Sequence, residues 1–77
     1  MPIHVKYFAG MRDRMGRADE DLNADGLTTV AEVWARVSGD QPLPRTVRVA
    51  VNQEYADLKQ RVKDGDEIAF FPPVTGG

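Results

Sequence analysis

The sequence predicts an α+β fold in which a twisted mixed sheet wraps around one main helix and an extended segment leaves the last strand. Three observations carry this. Ile3, Val5 and Tyr7 alternate with His4, Lys6 and Phe8, the period of a strand with one face buried. Val30, Val33, Trp34 and Val37 stand at i, i+3, i+4 and i+7, which makes one apolar helical face. Ile68 and Phe70 alternate with Ala69 and Phe71 close to the end, a second strand of the same kind. A single amphipathic helix covers only one face of a sheet, so the other face is left to water.

The first strand covers residues 3–8. Residues 9–15 have helical spacing, with Met11 and Met15 four apart and Gly16 as a natural stop. Residues 17–25 are acidic with Leu22 as their one large apolar residue, which fits a short edge strand or an irregular link. Asp25-Gly26 marks a turn, and Thr29-Val30-Ala31-Glu32 has the form of a capping box with Thr29 as N-cap. Gly39 is placed to end this main helix, and Pro42 and Pro44 force a loop after it. Val47, Val49 and Val51 alternate with Arg48 and Ala50 in a strand over residues 46–51. Asn52-Gln53-Glu54 then reads as a turn into a return strand at Tyr55-Ala56, and residues 58–62 as a short helical turn or irregular structure. Asp64-Gly65 is a further turn signal before the last strand, residues 67–71. The first and last strands are the most apolar and belong at the centre. This order is that of a β-grasp, or ubiquitin-like, fold. Its expected core is Ile3, Val5, Val30, Val33, Trp34, Val37, Val49, Val51, Ile68 and Phe70.

At 77 residues the chain is one domain spanning residues 1–77, with residues 72–77 as an extended tail. A domain this small buries roughly 60% of its unfolded surface, so each large apolar residue counts. Composition excludes several functions. There is no cysteine, which removes disulfides, thiolate metal sites and cysteine nucleophiles, and a single histidine argues against a histidine-rich metal site. A net charge of −2 is wrong for a nucleic-acid binder, which needs a basic face. No apolar run approaches a membrane span, and residues 1–4 lack the regions of a signal peptide. The expectation is a cytoplasmic protein with no membrane partner, no nucleic acid and no metal.

The ending is the most informative stretch: Phe70-Phe71-Pro72-Pro73-Val74-Thr75-Gly76-Gly77. Pro72 and Pro73 lack N–H donors and fix φ, so they end strand pairing and begin an extended exit. Gly76 and Gly77 have no Cβ and suit a narrow channel in a partner. Six extended residues reach about 20 Å, far enough to place the Gly77 carboxylate inside another protein's active site. A Gly-Gly end arises by chance about once in two hundred chains, so the pair alone is a modest signal. The aromatics, prolines and valine attached to it are not the composition of an idle solvated tail.

Other clusters have plainer readings. Asp19-Glu20-Asp21 and Asp64-Gly65-Asp66-Glu67 lack the alternating ligand spacing of a calcium loop and read as solvated faces or turns. Arg12, Arg14 and Arg17 form one basic patch and Lys59, Arg61 and Lys63 another; a basic rim near the tail suits an acidic partner. His4 is an outward strand residue, and Trp34 a packing residue. Phe8 and Phe71 both fall on the face away from the core, where they read either as an exposed docking pair beside the tail or as packing, Phe8 as a satellite contact and Phe71 as cover for the end of the sheet.

From end to end the chain resembles the small, sulfur-carrying subunits of molybdopterin synthase, the MoaD-type branch of the ubiquitin-like sulfur carriers. The most specific stretch runs from Asp64-Gly65-Asp66-Glu67 through Ile68-Ala69-Phe70-Phe71 to Gly77. Val5-Lys6-Tyr7-Phe8-Ala9 with Arg12 and Gly16, Thr29-Val30, and Val49-Ala50-Val51-Asn52 are similar to the family in the same order. The resemblance implies that an E1-like activating enzyme uses ATP to adenylate the Gly77 carboxylate, and that an external persulfide then converts it to a thiocarboxylate. It implies that Pro72, Pro73, Val74, Thr75 and Gly76 thread the partners' active sites while Phe8, Arg12 and Phe71 dock the body. The large subunit would then use the sulfur to build the dithiolene of molybdopterin, in a heterotetramer of two small and two large subunits. On this view the chain is a non-catalytic sulfur donor with no permanently bound cofactor, ATP being consumed by the activating enzyme. Lack of cysteine fits, since no nearby thiol can attack the activated ester. Residues 17–25 and 40–45 carry no family signal.

Three other functions use the same features. A carrier for thiamine thiazole or cysteine synthesis also ends in Gly-Gly, but Phe-Phe-Pro-Pro-Val points to the molybdopterin branch. A ubiquitin-like modifier would join Gly77 to lysines through the same adenylate. A non-covalent interaction module would keep its function when Gly76-Gly77 is deleted, whereas a carrier would lose it.

Overall fold

A computed structural model describes residues 1–72 of the chain. Seven elements follow in order: β1 (Ile3–Tyr7), α1 (Gly10–Met15), β2 (Asp19–Leu22), α2 (Val30–Ser38), β3 (Arg48–Val51), β4 (Glu54–Ala56) and β5 (Glu67–Phe71). The strands form one sheet in the order β2-β1-β5-β3-β4. β1 and β5 are parallel, with Val5 opposite Ile68 and Tyr7 opposite Phe70; the other pairs are antiparallel. As the sequence predicts, the first and last strands are central, β5 in the middle and β1 beside it. Both bury alternate residues completely or nearly so, namely Ile3, Val5, Tyr7, Ile68 and Phe70. A strand flanked on both sides satisfies all its backbone groups inside the sheet, which is where the most apolar strands are placed at least cost. The result is the expected β-grasp, with α2 against one face.

The helix α2 forms as its sequence specifies. Thr29 is extended and caps the helix, its hydroxyl accepting from the Glu32 N–H at 3.4 Å. Glu32 Oε1 in return accepts from the N–H groups of Thr28 and Thr29, both at 3.0 Å. Gly39 ends the helix in the left-handed region at φ 68°. Val30, Val33 and Trp34 are buried. The indole N–H of Trp34 donates to the Gln41 carbonyl at 2.7 Å, so its polar end is satisfied in the loop that follows.

Several details refine the sequence reading. The strand β1 ends at Tyr7, one residue before Phe8, and α1 starts at Gly10 rather than Ala9. The cause is a tight turn: Met11 N–H donates to Phe8 O at 3.0 Å, and Ala9 stands at φ 50°, ψ −127°. The strand β3 begins at Arg48, two residues later than expected, and β4 begins at Glu54. Residues 58–62 take the irregular form, one of the two the sequence allowed, and not the helical turn. Their carbonyls cap α2 from outside, Leu58 O accepting from Ala31 N–H at 3.0 Å and Gln60 O from Val30 N–H at 2.9 Å. Those helix N–H groups have no partner within the helix. Finally, Val37 packs against the core but stays partly exposed, while Tyr7, Met11, Leu27 and Val62 join it.

Candidate functional site

The chain leaves the fold from the middle of the sheet. Phe71 is the last residue of β5, and it is held by Arg48 of β3 on one side. On the other side Phe8 N–H donates to Phe70 O at 3.2 Å, closing the last rung between the first and last strands. Pro72 follows, half-buried, and offers no donor to prolong the pairing. Pro73, Val74, Thr75, Gly76 and Gly77 lie outside the described residues.

The sheet face away from α2 supplies the surroundings of this exit. Alternation puts Lys6, Ala69 and Ala50 on that face, and Tyr55 stands opposite Ala50. Phe71 shares the face one step further along, so its ring meets the Tyr55 ring with centroids 6.0 Å apart at 47°. Tyr55 is 81% exposed and Phe8 43% exposed. Arg12, on α1, is also exposed. Phe8 and Phe71 therefore stand at one end of the sheet, beside the start of the exit, and Arg12 lies on α1, the element that follows Phe8. An open cleft of about 610 Å³ adjoins Phe71, lined among others by Leu43, Val47, Arg48, Tyr55 and Leu58. Tyr55 and Arg48 are additions that sequence reasoning did not single out. The signal was available: with Ala50 as partner, a tyrosine in a short return strand has nothing on its face to cover it.

Beneath this surface the end of the sheet is braced by ionic and hydrogen-bonded contacts. Tyr7 is buried and its hydroxyl donates to Glu20 Oε2 at 2.6 Å. Burial and then the Glu20 carboxylate push the phenol well above its ordinary range. Arg17 pairs with the same carboxylate oxygen through Nε. It also donates to the carbonyls of Met15 at 2.9 Å and Val37 at 3.2 Å, and stands 5.5 Å over the Tyr7 ring. The hydrogen bond to Glu20 raises the Arg17 guanidinium further. The expected basic patch of Arg12, Arg14 and Arg17 is thus divided: Arg17 is a brace between both helices and β2, whereas Arg12 and Arg14 face solvent. At the other end of the sheet Asp66, buried, accepts from Asn52 Nδ2 at 3.0 Å and from Lys63 N–H at 2.9 Å. His4 pairs with Asp21 at 2.5 Å on the outer face.

Among the described residues no group of three His, Asp or Glu side chains is placed to hold a metal ion, and no helix is long and apolar enough to cross a membrane. Among the described residues near the exit, no hydrogen-bonded nucleophile–base pair is present. What the described site offers is an aromatic and cationic surface around a strand end, which is chemistry for docking.

Comparison with known proteins gives a consistent result. The family described as "ThiS family" matches residues 5–77. The molybdopterin synthase sulfur carrier subunit of Escherichia coli is 37% identical, over 97% of this chain and 99% of its own. Among solved structures, the SAMP1 protein of Haloferax volcanii superposes with a TM-score of 0.82 at 28% identity, covering both chains completely. Subunit 1 or 2 in a Helicobacter pylori complex of the two subunits of molybdopterin-converting factor matches with a TM-score of 0.69 at 26% identity, again over both full lengths.

Proposed function

The chain belongs to the ThiS family, and from that premise we propose that it is the sulfur carrier subunit of molybdopterin synthase, working in the cytoplasm. The observation that carries this is the extent of the likeness: a carrier subunit of that name matches 97% of the chain, and the family match runs through Gly77. The end of β5 supports it, since Phe71 closes the central strand beside an exposed aromatic neighbour, Tyr55.

The reaction begins at the Gly77 carboxylate, which is a poor electrophile. An E1-like enzyme joins it to AMP from ATP, releasing pyrophosphate and giving a mixed anhydride with a good leaving group. A donor persulfide attacks the carbonyl with its outer sulfur and AMP departs. Cleavage of the sulfur–sulfur bond by a thiol leaves a thiocarboxylate on Gly77 and a disulfide on the donor side. Pro72, Pro73, Val74, Thr75 and Gly76 span the distance into the large subunit, where the sulfur passes to a pyranopterin precursor and hydrolysis restores the carboxylate. Two cycles supply both dithiolene sulfurs. The large subunit carries the catalytic side chains, in a heterotetramer of two small and two large subunits. The similarity to a subunit of the Helicobacter pylori complex supports a large-subunit partner.

The intact mass of the protein isolated from its own cells without alkylating agents tests this. A species in which one oxygen is replaced by sulfur, localised to Gly77 and lost when Gly77 is deleted, is the expected result. Only the unmodified mass, after incubation with ATP, the activating enzyme and a persulfide source, would overturn the reading. Isopeptide conjugates to lysine in its place would instead assign a modifier, the role named for the similar small archaeal modifier protein 1.

A further inference from the structure

We infer that Asp25 is a site of spontaneous isomerisation to isoaspartate, and that the altered backbone loosens the start of α2. The inference is independent of the carrier reading above, since it needs only the folded chain. Asp-Gly favours this chemistry because glycine has no Cβ to hinder attack by its own backbone nitrogen. The chain has two such pairs, Asp25-Gly26 and Asp64-Gly65. The fold treats them differently.

Asp25 and Gly26 are both exposed, in a turn that Leu27 N–H closes on Ala24 O at 3.0 Å, with Gly26 at φ 80°. Among the described residues the Gly26 N–H has no acceptor, and the Asp25 carboxylate forms no ion pair. A cation stands close by. Arg36 Nη2 lies 3.9 Å from where a Cβ on Gly26 would be, which favours the deprotonated nitrogen that attacks. Gly65, by contrast, is restrained, its N–H donating to Pro2 O at 3.1 Å.

The step needs no co-reactant beyond water. The Gly26 nitrogen attacks the side-chain carboxyl carbon of Asp25, its proton leaves with the carboxyl hydroxyl as water, and a succinimide ring forms. Water then opens the ring at either carbonyl. Opening at the main-chain carbonyl leaves the chain running through the Asp25 β-carbon, one methylene longer, with the α-carboxylate as the branch. That extra atom enters just ahead of the buried Leu27 and of Thr28 and Thr29, whose N–H groups donate to Glu32 Oε1 at 3.0 Å. The capping box cannot keep its register while Leu27 keeps its place, so the helix start weakens.

The test is ageing of the full chain in neutral buffer, followed by peptide mapping that separates isoaspartyl from aspartyl peptides. Methyl transfer from S-adenosylmethionine by an isoaspartyl carboxyl methyltransferase gives an independent count. Isoaspartate is expected to accumulate several-fold faster at Asp25 than at Asp64, with a transient species lighter by one water. In urea, where Gly65 is freed, the two rates are expected to converge. The thermal midpoint of aged chains should fall in step with isoaspartate at Asp25. Asp25→Glu, whose longer side chain would need a six-membered ring, should keep its midpoint throughout. A rate at Asp64 equal to or above that at Asp25 in the folded chain overturns the inference. So does a difference that persists in urea, which would make it a property of local sequence and not of the fold. A midpoint that stays constant while isoaspartate builds up at Asp25 overturns the effect on α2.

Discussion

Asn52 and Asp66 are joined by a hydrogen bond of 3.0 Å that ties the β3–β4 turn to the entry of β5. Asn52 also accepts from Glu67 N–H at 3.0 Å, and its own N–H donates to Glu67 O at 2.8 Å. One side chain thus supports a buried carboxylate and starts the central strand. The turn it sits in places both Asn52 and Gln53 at positive φ, 51° and 70°. Asparagine tolerates that region well; glutamine does so poorly.

Replacing Gln53 with glycine is therefore expected to stabilise the protein by roughly 0.5–1 kcal/mol, because the left-handed strain goes and no contact is lost. Asn52→Gly relieves less strain and removes the side-chain bonds to Asp66 and Glu67, and is expected to destabilise by about 1–3 kcal/mol. Urea unfolding of the two variants checks this. Equal signs for both would refute the role given to the Asn52 side chain.

Tyr7 makes stability depend on pH at the alkaline end. Its phenol is held protonated in the fold, first by burial and then by Glu20, so its folded pKa lies above the unfolded value of about 10. A raised pKa gives stability that is fully present below the unfolded value and lost as pH rises through the folded one. The thermal midpoint should fall as pH rises above about 10 through this group. The Tyr7→Phe variant should lose that part of the slope, at a cost near neutrality of about 1–2 kcal/mol for the missing bond to a carboxylate. An unchanged alkaline slope in Tyr7→Phe would contradict the assignment.

Phe70 is the centre of the core. Its ring lies 5.0 Å from Trp34 and 6.2 Å from Tyr7, and it is fully buried. Truncation to alanine costs about 3–5 kcal/mol at such a site, against a total of about 4–12 kcal/mol for a chain this long. Phe70→Ala is expected to be largely destabilised in a thermal melt, with a midpoint lowered by ten degrees or more, since 1 kcal/mol is worth about 4–8 °C in a small domain.

The neighbouring ring behaves differently. Phe71 faces outward and touches Tyr55, so Phe71→Ala should cost about 1 kcal/mol or less in folding, the value of an exposed cross-strand pair. Its affinity for the large subunit should nevertheless drop about tenfold or more, in keeping with an aromatic anchor. Calorimetric titration against that subunit reads the second effect, and unchanged affinity would remove Phe71 from the docking surface.

Most of the fold was legible because its signals are local. Alternation in residues 3–7 and 67–71, the helical spacing from Val30 to Val37 and the Thr29–Glu32 box each act within a few residues, and each appears as expected. What was hidden depends on residues distant in sequence. The carbonyls of Leu58 and Gln60 serve a helix that begins almost thirty residues earlier, and nothing in residues 58–62 announces this. The buried end of Tyr7 needs Glu20 and Arg17 from a segment that read only as acidic. Arg48 looks like any solvated strand residue until the sheet places Phe71 opposite. Of the candidate site, Phe8 and Phe71 fall at one end of the sheet, as strand alternation alone allows. Their neighbours Tyr55 and Arg48 became visible only through strand pairing.

The parallel pairing of β1 with β5 has a mechanical consequence. The strand that leads into the tail is gripped along its length by β1 on one side and β3 on the other. A pull on the chain beyond Phe71, directed along β5, acts in shear on all of those rungs together. It does not open them one at a time, as a pull on an edge hairpin would. Tension applied at Phe71 is therefore shared across the whole width of the sheet, and the body that bears it keeps its shape.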